Sequence, residues 1–145
     1  MHIYLSFDCV IIIIIIMIII MCRPVKNQQQ CGSCWAFSAT EQIESDVMRE
    51  HNKTFLLSVQ QVNSCTTGCG CELGGFTESA YRYVKNAGGI EQDSDYPYTS
   101  HLGKTGDCLA DSSTIAKLGV VAIGGYTAVK SKSPYSNIRL FVFNA

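Results

Sequence analysis

The apolar positions of this chain fall into three regimes. Residues 10–21 read VIIIIIIMIIIM, an isoleucine tract with neither helical nor strand periodicity and no small or polar punctuation, so it is low complexity. From Arg23-Pro24 onward the pattern becomes mixed and structured. Ala36, Ala39, Ile43 and Val47 recur at spacings of three and four and predict a helix running to about Glu50, its opposite face carrying Glu41, Glu44 and Arg49. Ser58 followed by Gln61 in LSVQQVNSC is a capping-box pattern that opens a short helix with its cap at Ser58. Phe76, Ala80, Val84 and Ala87 form a further stripe, predicting a helix from about Thr77 to Ala87 that Gly88-Gly89 stop. Both later helices are expected to pack beside the first. The run LGVVAIGGYTAV, 118–129, has the β-branched, glycine-punctuated character of strands.

These regimes divide the chain into a low-complexity hydrophobic segment at 1–22, a domain at 23–129 and a divergent tail at 130–145. Twelve apolar residues suit a signal-peptide core, yet no Lys or Arg precedes them and no small-x-small cleavage site follows. Extending the window over residues 3–22 gives about a membrane-spanning length at the cost of including Ser6 and Asp8. A membrane anchor through 3–22, a divergent secretory signal and a stretch foreign to the domain all stay open.

Composition adds two constraints. With 11 basic and 12 acidic residues among 145, the formal charge of -1 gives no electrostatic reason to expect nucleic acid or an anionic membrane surface as partner. The eight cysteines, at 9, 22, 31, 34, 65, 69, 71 and 108, favour an oxidising compartment with disulfides, or a metal site.

The chemistry centres on QQQCGSCWAFS, residues 28–38. Cys34 stands at the first turn of the predicted helix, where unpaired backbone N–H groups and the positive end of the dipole favour an anionic sulfur. A thiolate nucleophile also needs an oxyanion stabiliser and a base. Gln28, six residues upstream, can offer its side-chain NH2 beside the Cys34 backbone N–H.

The segment PVKNQQQCGSCWAFSA, Pro24 to Ala39, resembles the active-site segment of the papain and cathepsin cysteine peptidases, which carry C-G-[SA]-C-[WY] around their catalytic cysteine. The resemblance implies Cys34 as nucleophile, Gln28 as oxyanion-hole glutamine, Cys31 as a structural disulfide partner and Trp35 as the packed residue after the nucleophile, at the substrate site. Cys65 to Phe76 is similar to the family's C…GCNGG region, and Tyr96-Pro97-Tyr98 with Cys108 to its YPY…C region; together these imply two disulfides and one wall of the cleft. Carried over, Gly74 and Gly75 lie along the substrate backbone and Phe76 lines the pocket for the second acyl-side residue.

Here the pattern departs from the family: Cys69 is extra, and Glu72-Leu73 replace a single asparagine. Cys65 is expected to bond Cys108, while Cys31 can bond Cys71 or Cys69. The fold class implied is α+β, papain-like, mainly the helical lobe with the start of the β lobe, truncated. The resemblance covers about Pro24 to Val129, the amino-terminal half of such a catalytic domain. The family's catalytic histidine and asparagine are expected about 130–150 residues after the nucleophile, past position 145. His51 and His101 stand in unmatched contexts and read as surface residues.

The resemblance implies a monomeric peptidase of the secretory pathway, lysosomal, vacuolar or extracellular, acting on peptides or proteins with no cofactor, metal or nucleic acid. The alternative is an inactive papain-like fragment that binds peptides at most, with or without a membrane anchor. Two weaker readings compete with the family. A thioredoxin-type dithiol of Cys31 and Cys34 lacks a preceding buried strand, and a zinc module of Cys31, Cys34, Cys69 and Cys71 has its second pair separated by one residue and no nearby histidine.

Overall fold

The computed structural model describes residues 25–129 and 137–144. The isoleucine tract, Cys9, Cys22 and the proposed 3–22 span lie outside the described residues. No described helix is long and apolar enough to cross a membrane.

The described residues form five helical segments and three strands, in the order α1 (Cys34–His51), α2 (Val59–Cys65), α3 (Thr77–Ala87), β1 (Ile90–Glu91), a 3-10 turn (Ser100–Leu102), α4 (Ser112–Leu118), β2 (Gly119–Val129) and β3 (Asn137–Asn144). The strands make one antiparallel sheet in the order β1-β2-β3, with Ile90 opposite Val121 and Tyr126 opposite Leu140. Helices α2 and α3 both pack on α1, and α3 also packs on β2. The architecture is α+β, helices packed on one another and against a small antiparallel sheet.

The stripe Ala36, Ala39, Ile43 and Val47 is wholly buried and forms the centre of the core with Leu57, Val62, Tyr81, Val84, Ile90 and Val121. α1 ends at Asn52, in the left-handed region at φ 53°, its N–H bonding the Met48 carbonyl. α3 has the bounds its stripe predicts and ends on Gly88, also left-handed.

Three expectations change. Glu44 is not on a solvent face: it is 1% exposed and its Oε1 accepts from Lys26 Nζ and from the Leu57 N–H, each at 2.8 Å. A buried carboxylate requires such partners, and these tie the segment before Cys34 to the middle of α1. Phe76 is not part of the α3 stripe. It sits at the N-cap, 74% exposed, and Tyr81 takes its place in the core. Strand pairing also continues past residue 129, because β3 lies against β2 within what the sequence shows as a divergent tail.

The cap at Ser58 is present, its Oγ accepting from Gln61 N–H at 2.9 Å and donating to the Tyr96 carbonyl at 2.6 Å. The reciprocal half of the box is not: Gln61 instead accepts from Glu91 N–H and donates to Tyr83, binding α2 to β1 and α3. Its neighbour Gln60 accepts from the N–H groups of Thr99 and Ser100 and donates to the Thr105 carbonyl, pinning the 99–105 loop. Replacing Ser58 by alanine removes a cap and a buried tertiary hydrogen bond, so a loss of about 2 kcal/mol is expected in urea denaturation. A midpoint within error of the parent would show that the cap contributes nothing.

Candidate active site

Cys34 is the first residue of α1, exposed and outside both disulfides. Its sulfur therefore lies at the helix end where backbone N–H groups lack intrahelical partners. Ser33 occupies the cap position without capping through its side chain, since its Oγ is committed to the Tyr98 hydroxyl at 2.9 Å. That arrangement leaves the first N–H groups of the helix unclaimed by a cap side chain.

Gln28 is half-buried on the loop leading into the helix. Its Nε2 donates to the Cys31 carbonyl at 2.9 Å, which fixes the amide beside the turn preceding Cys34. An amide NH2 carries two hydrogens, so one is left to donate elsewhere. The Gln28 carbonyl accepts from the Tyr98 hydroxyl at 3.0 Å. Tyr98, bonded to both Gln28 and Ser33 and edge-on to Phe37 at 5.0 Å, thus holds the two sides of the loop before Cys34 in register. Nothing in the sequence singles it out beyond its place in Tyr96-Pro97-Tyr98, and its positioning role emerges only from the folded contacts.

The loop at 70–76 closes against this turn. Gly32 N–H donates to the Cys71 carbonyl at 3.1 Å, and a Cβ on Gly32 would come within 2.6 Å of that oxygen, so only glycine fits the crossing. Gly75 lies directly on Trp35, where a Cβ would come within 2.6 Å of the indole ring. Trp35 itself is 3% exposed. It is the floor beneath the glycine pair rather than a surface offered to a ligand, which revises its place among the substrate-contacting residues. Gly74 adopts φ 67° and its carbonyl accepts from Gly70 N–H, making the tight turn that projects Leu73 and Phe76 outward, 79% and 74% exposed. At the base of that turn the Thr105 hydroxyl donates to Glu72 and accepts from Cys71 N–H. The bond from Thr105, with the backbone N–H groups of Glu72 and Thr105 adding to it, holds the Glu72 carboxyl below the ordinary carboxylate range.

Cys31 is bonded to Cys71 and Cys65 to Cys108, leaving Cys69 free. The first bond resolves the choice between Cys71 and Cys69. It also consumes one sulfur of the dithiol reading and two of the four sulfurs of the zinc reading. Asn63 Nδ2 reaches both sulfurs of that bond at 3.6 Å and Ser100 Oγ at 3.1 Å, so the crosslink behind the turn before Cys34 is itself braced by α2.

The two described histidines lie elsewhere, both exposed. His51 is the last residue of α1, about 25 Å along the helix from Cys34 at 1.5 Å per residue. His101 is in the 3-10 turn, its backbone carbonyl accepting from Gln30 N–H at 3.3 Å. The Cys34 sulfur makes no hydrogen bond to any described residue.

The profile of the family described as papain family cysteine protease matches residues 19–140. The chain belongs to the papain family of cysteine proteases. Relatives within the papain family include digestive cysteine proteinase 3 of Homarus americanus, 41% identical over 100 residues, and cathepsin L2 of Homo sapiens, 46% identical over 80. These matches cover 66% and 53% of the chain but 29% and 24% of the relatives, so it spans less than a third of their length. Among solved papain-family structures, bromelain from Ananas comosus in complex with the E64 inhibitor superposes with a TM-score of 0.64 at 32% identity, over 74% of this chain and 46% of that one.

Proposed function

We propose that this chain supplies the nucleophile-bearing side of a peptidase cleft, hydrolysing peptide bonds through an acyl-enzyme on Cys34. The observation that carries the reading is the exposed, unbonded Cys34 at the start of α1, with the Gln28 amide anchored on the Cys31 carbonyl of the turn before it. In the reaction the sulfur attacks the peptide carbonyl, and the oxygen that gains charge is stabilised by Gln28 Nε2–H and the Cys34 backbone N–H. The C–N bond then breaks and the amine leaves with a proton from a general acid, after which water releases the acyl group. Gly74 and Gly75 admit an extended substrate strand, and Phe76 offers an aromatic wall that favours an apolar second acyl-side residue. The two disulfides and the family membership support delivery to the secretory pathway, lysosome, vacuole or extracellular space.

The base and acid must come from outside the described residues, because neither described histidine is on the Cys34 side chain. The 145-residue polypeptide on its own is expected to be inactive, its cleft at most binding peptides. The test is the purified chain with a fluorogenic dipeptide substrate at about pH 5–7, alongside iodoacetamide alkylation of Cys34. No turnover and slow, ordinary-thiol alkylation are expected. Turnover that a thiol reagent blocks and Cys34→Ala removes would show that the chain carries its own base.

When the chain is joined to a lobe that supplies the base, Gln28→Ala should lower kcat by about 10²-fold, the usual cost of one oxyanion donor. Alkylation of Cys34 should stay within a few-fold of the parent. An unchanged kcat would assign the oxyanion to backbone donors alone.

A further inference from the structure

We propose that Asn52 is an acceptor for asparagine-linked glycosylation, a modification site at the opposite end of α1 from the nucleophile. Asn52-Lys53-Thr54 has the N-x-[ST] form with no proline at the middle position, the pattern that a hydroxyl two residues on makes competent for sugar transfer. In the fold His51, Asn52, Lys53 and Thr54 are all exposed. Asn52 uses only its backbone, the N–H capping α1 through Met48, and its side-chain amide makes no hydrogen bond to any described residue. Asn52 takes the left-handed φ of 53° at the helix C-cap, where the chain passes through exposed residues into the loop before Phe55.

The second asparagine with a related pattern serves as an internal contrast. Asn63-Ser64-Cys65 carries a cysteine where the hydroxyl should be, and that cysteine is bonded to Cys108. Asn63 is fully buried and its amide bonds the Cys31–Cys71 sulfurs and Ser100, so no sugar fits there. Of the two, only Asn52 combines the hydroxyl and the exposure.

The donor is a polyprenyl-pyrophosphate-linked oligosaccharide, supplied with its transferase by the compartment that also forms disulfides. Asn52 Nδ2 forms a bond to the anomeric carbon, and the bond from that carbon to the pyrophosphate oxygen breaks. The pyrophosphate departs with the bonding pair and Nδ2 gives up one proton, so no oxidant or reductant is required. Because the helix places Asn52 about 27 Å from Cys34, a glycan there leaves the cleft open and shields the exposed α1 C-terminus.

The inference rests on the secretory reading above and not on the catalytic one. To separate them, the full chain is translated behind an added cleavable signal in the presence of microsomes, and its Cys34→Ala variant in parallel. Protease-protected product of both should show one upward gel shift, reversed by peptide N-glycosidase. Peptide mapping should find Asn52 converted to Asp, carrying one heavy oxygen when that digestion is run in water enriched in heavy oxygen. Asn52→Gln and Thr54→Ala should each lose the shift, Thr54→Ser should retain it, and Asn63→Gln should leave it unchanged. Transfer precedes folding, so a poorly folded variant still gives a reading. Protected chain without sugar on Asn52, or a shift that survives Asn52→Gln, would overturn the proposal.

Discussion

Cys34→Ala, made in a protein that joins this chain to the lobe supplying a base, should remove peptide hydrolysis by on the order of 10⁶-fold, the scale on which another hydrolase responds to loss of its nucleophile. Cys34 is exposed, so the substitution opens no cavity, and alanine is the best helix former for the first turn of α1. The thermal midpoint should accordingly stay within about two degrees of the parent, since a surface change away from special features costs within about 0.5 kcal/mol. Cys34→Ser should fail almost as completely, because an unactivated hydroxyl is a far weaker nucleophile than a thiolate. Active-site titration with a slowly turning-over acyl substrate reads the step directly. A stoichiometric burst persisting in Cys34→Ala would assign the acyl-enzyme to another residue.

The second large effect is on stability. Removing the Cys31–Cys71 bond with the double substitution Cys31→Ser, Cys71→Ser should cost about 4 kcal/mol, the chain-entropy value for a loop of this length. The double change is needed because Cys71→Ser alone leaves Cys31 free to seek Cys69. The bond joins the turn before Cys34 to the loop that carries Gly74 and Gly75, and its loss also strips Asn63 of two of its contacts. Cys69→Ser supplies the contrast: Cys69 is unbonded, so its urea midpoint should move by a small fraction of that amount. If Cys69→Ser proves as costly as the double variant, the pairing of Cys31 with Cys71 is wrong.

How much of this was legible beforehand depended on whether a residue's role is local. α1 and α3 follow from apolar stripes, the start of α2 from a serine three residues before a glutamine, and the end of α3 from Gly88, because helix periodicity, caps and left-handed stops are properties of neighbouring residues. The Cys65–Cys108 bond was readable by resemblance; the choice of Cys71 over Cys69 needed the fold. What could not be read are polar residues whose partners are far along the chain. Glu44 looks like a solvent-facing charge until Lys26 and Leu57 converge on it, and Gln60 looks interchangeable with any surface amide until it is found holding the 99–105 loop. The same holds for Tyr98, joined to Gln28 across 70 residues. α4 is hard to read for another reason. Its capping box runs from Asp111 to Thr114, and a threonine is a weak signal where glutamate or glutamine is expected.

The two disulfides interleave, the loop from Cys31 to Cys71 overlapping the loop from Cys65 to Cys108 only in the short stretch between Cys65 and Cys71. Under tension applied at its two ends, the covalent path runs from Cys31 across to Cys71, backwards to Cys65, and across again to Cys108. All of α1, α2, α3 and β1 outside that stretch are bypassed and carry no load. The oxidised molecule is therefore nearly inextensible between residues 31 and 108 even when unfolded, and a motor that threads one strand at a time through a pore would meet several strands at once until a reductant opens the bonds.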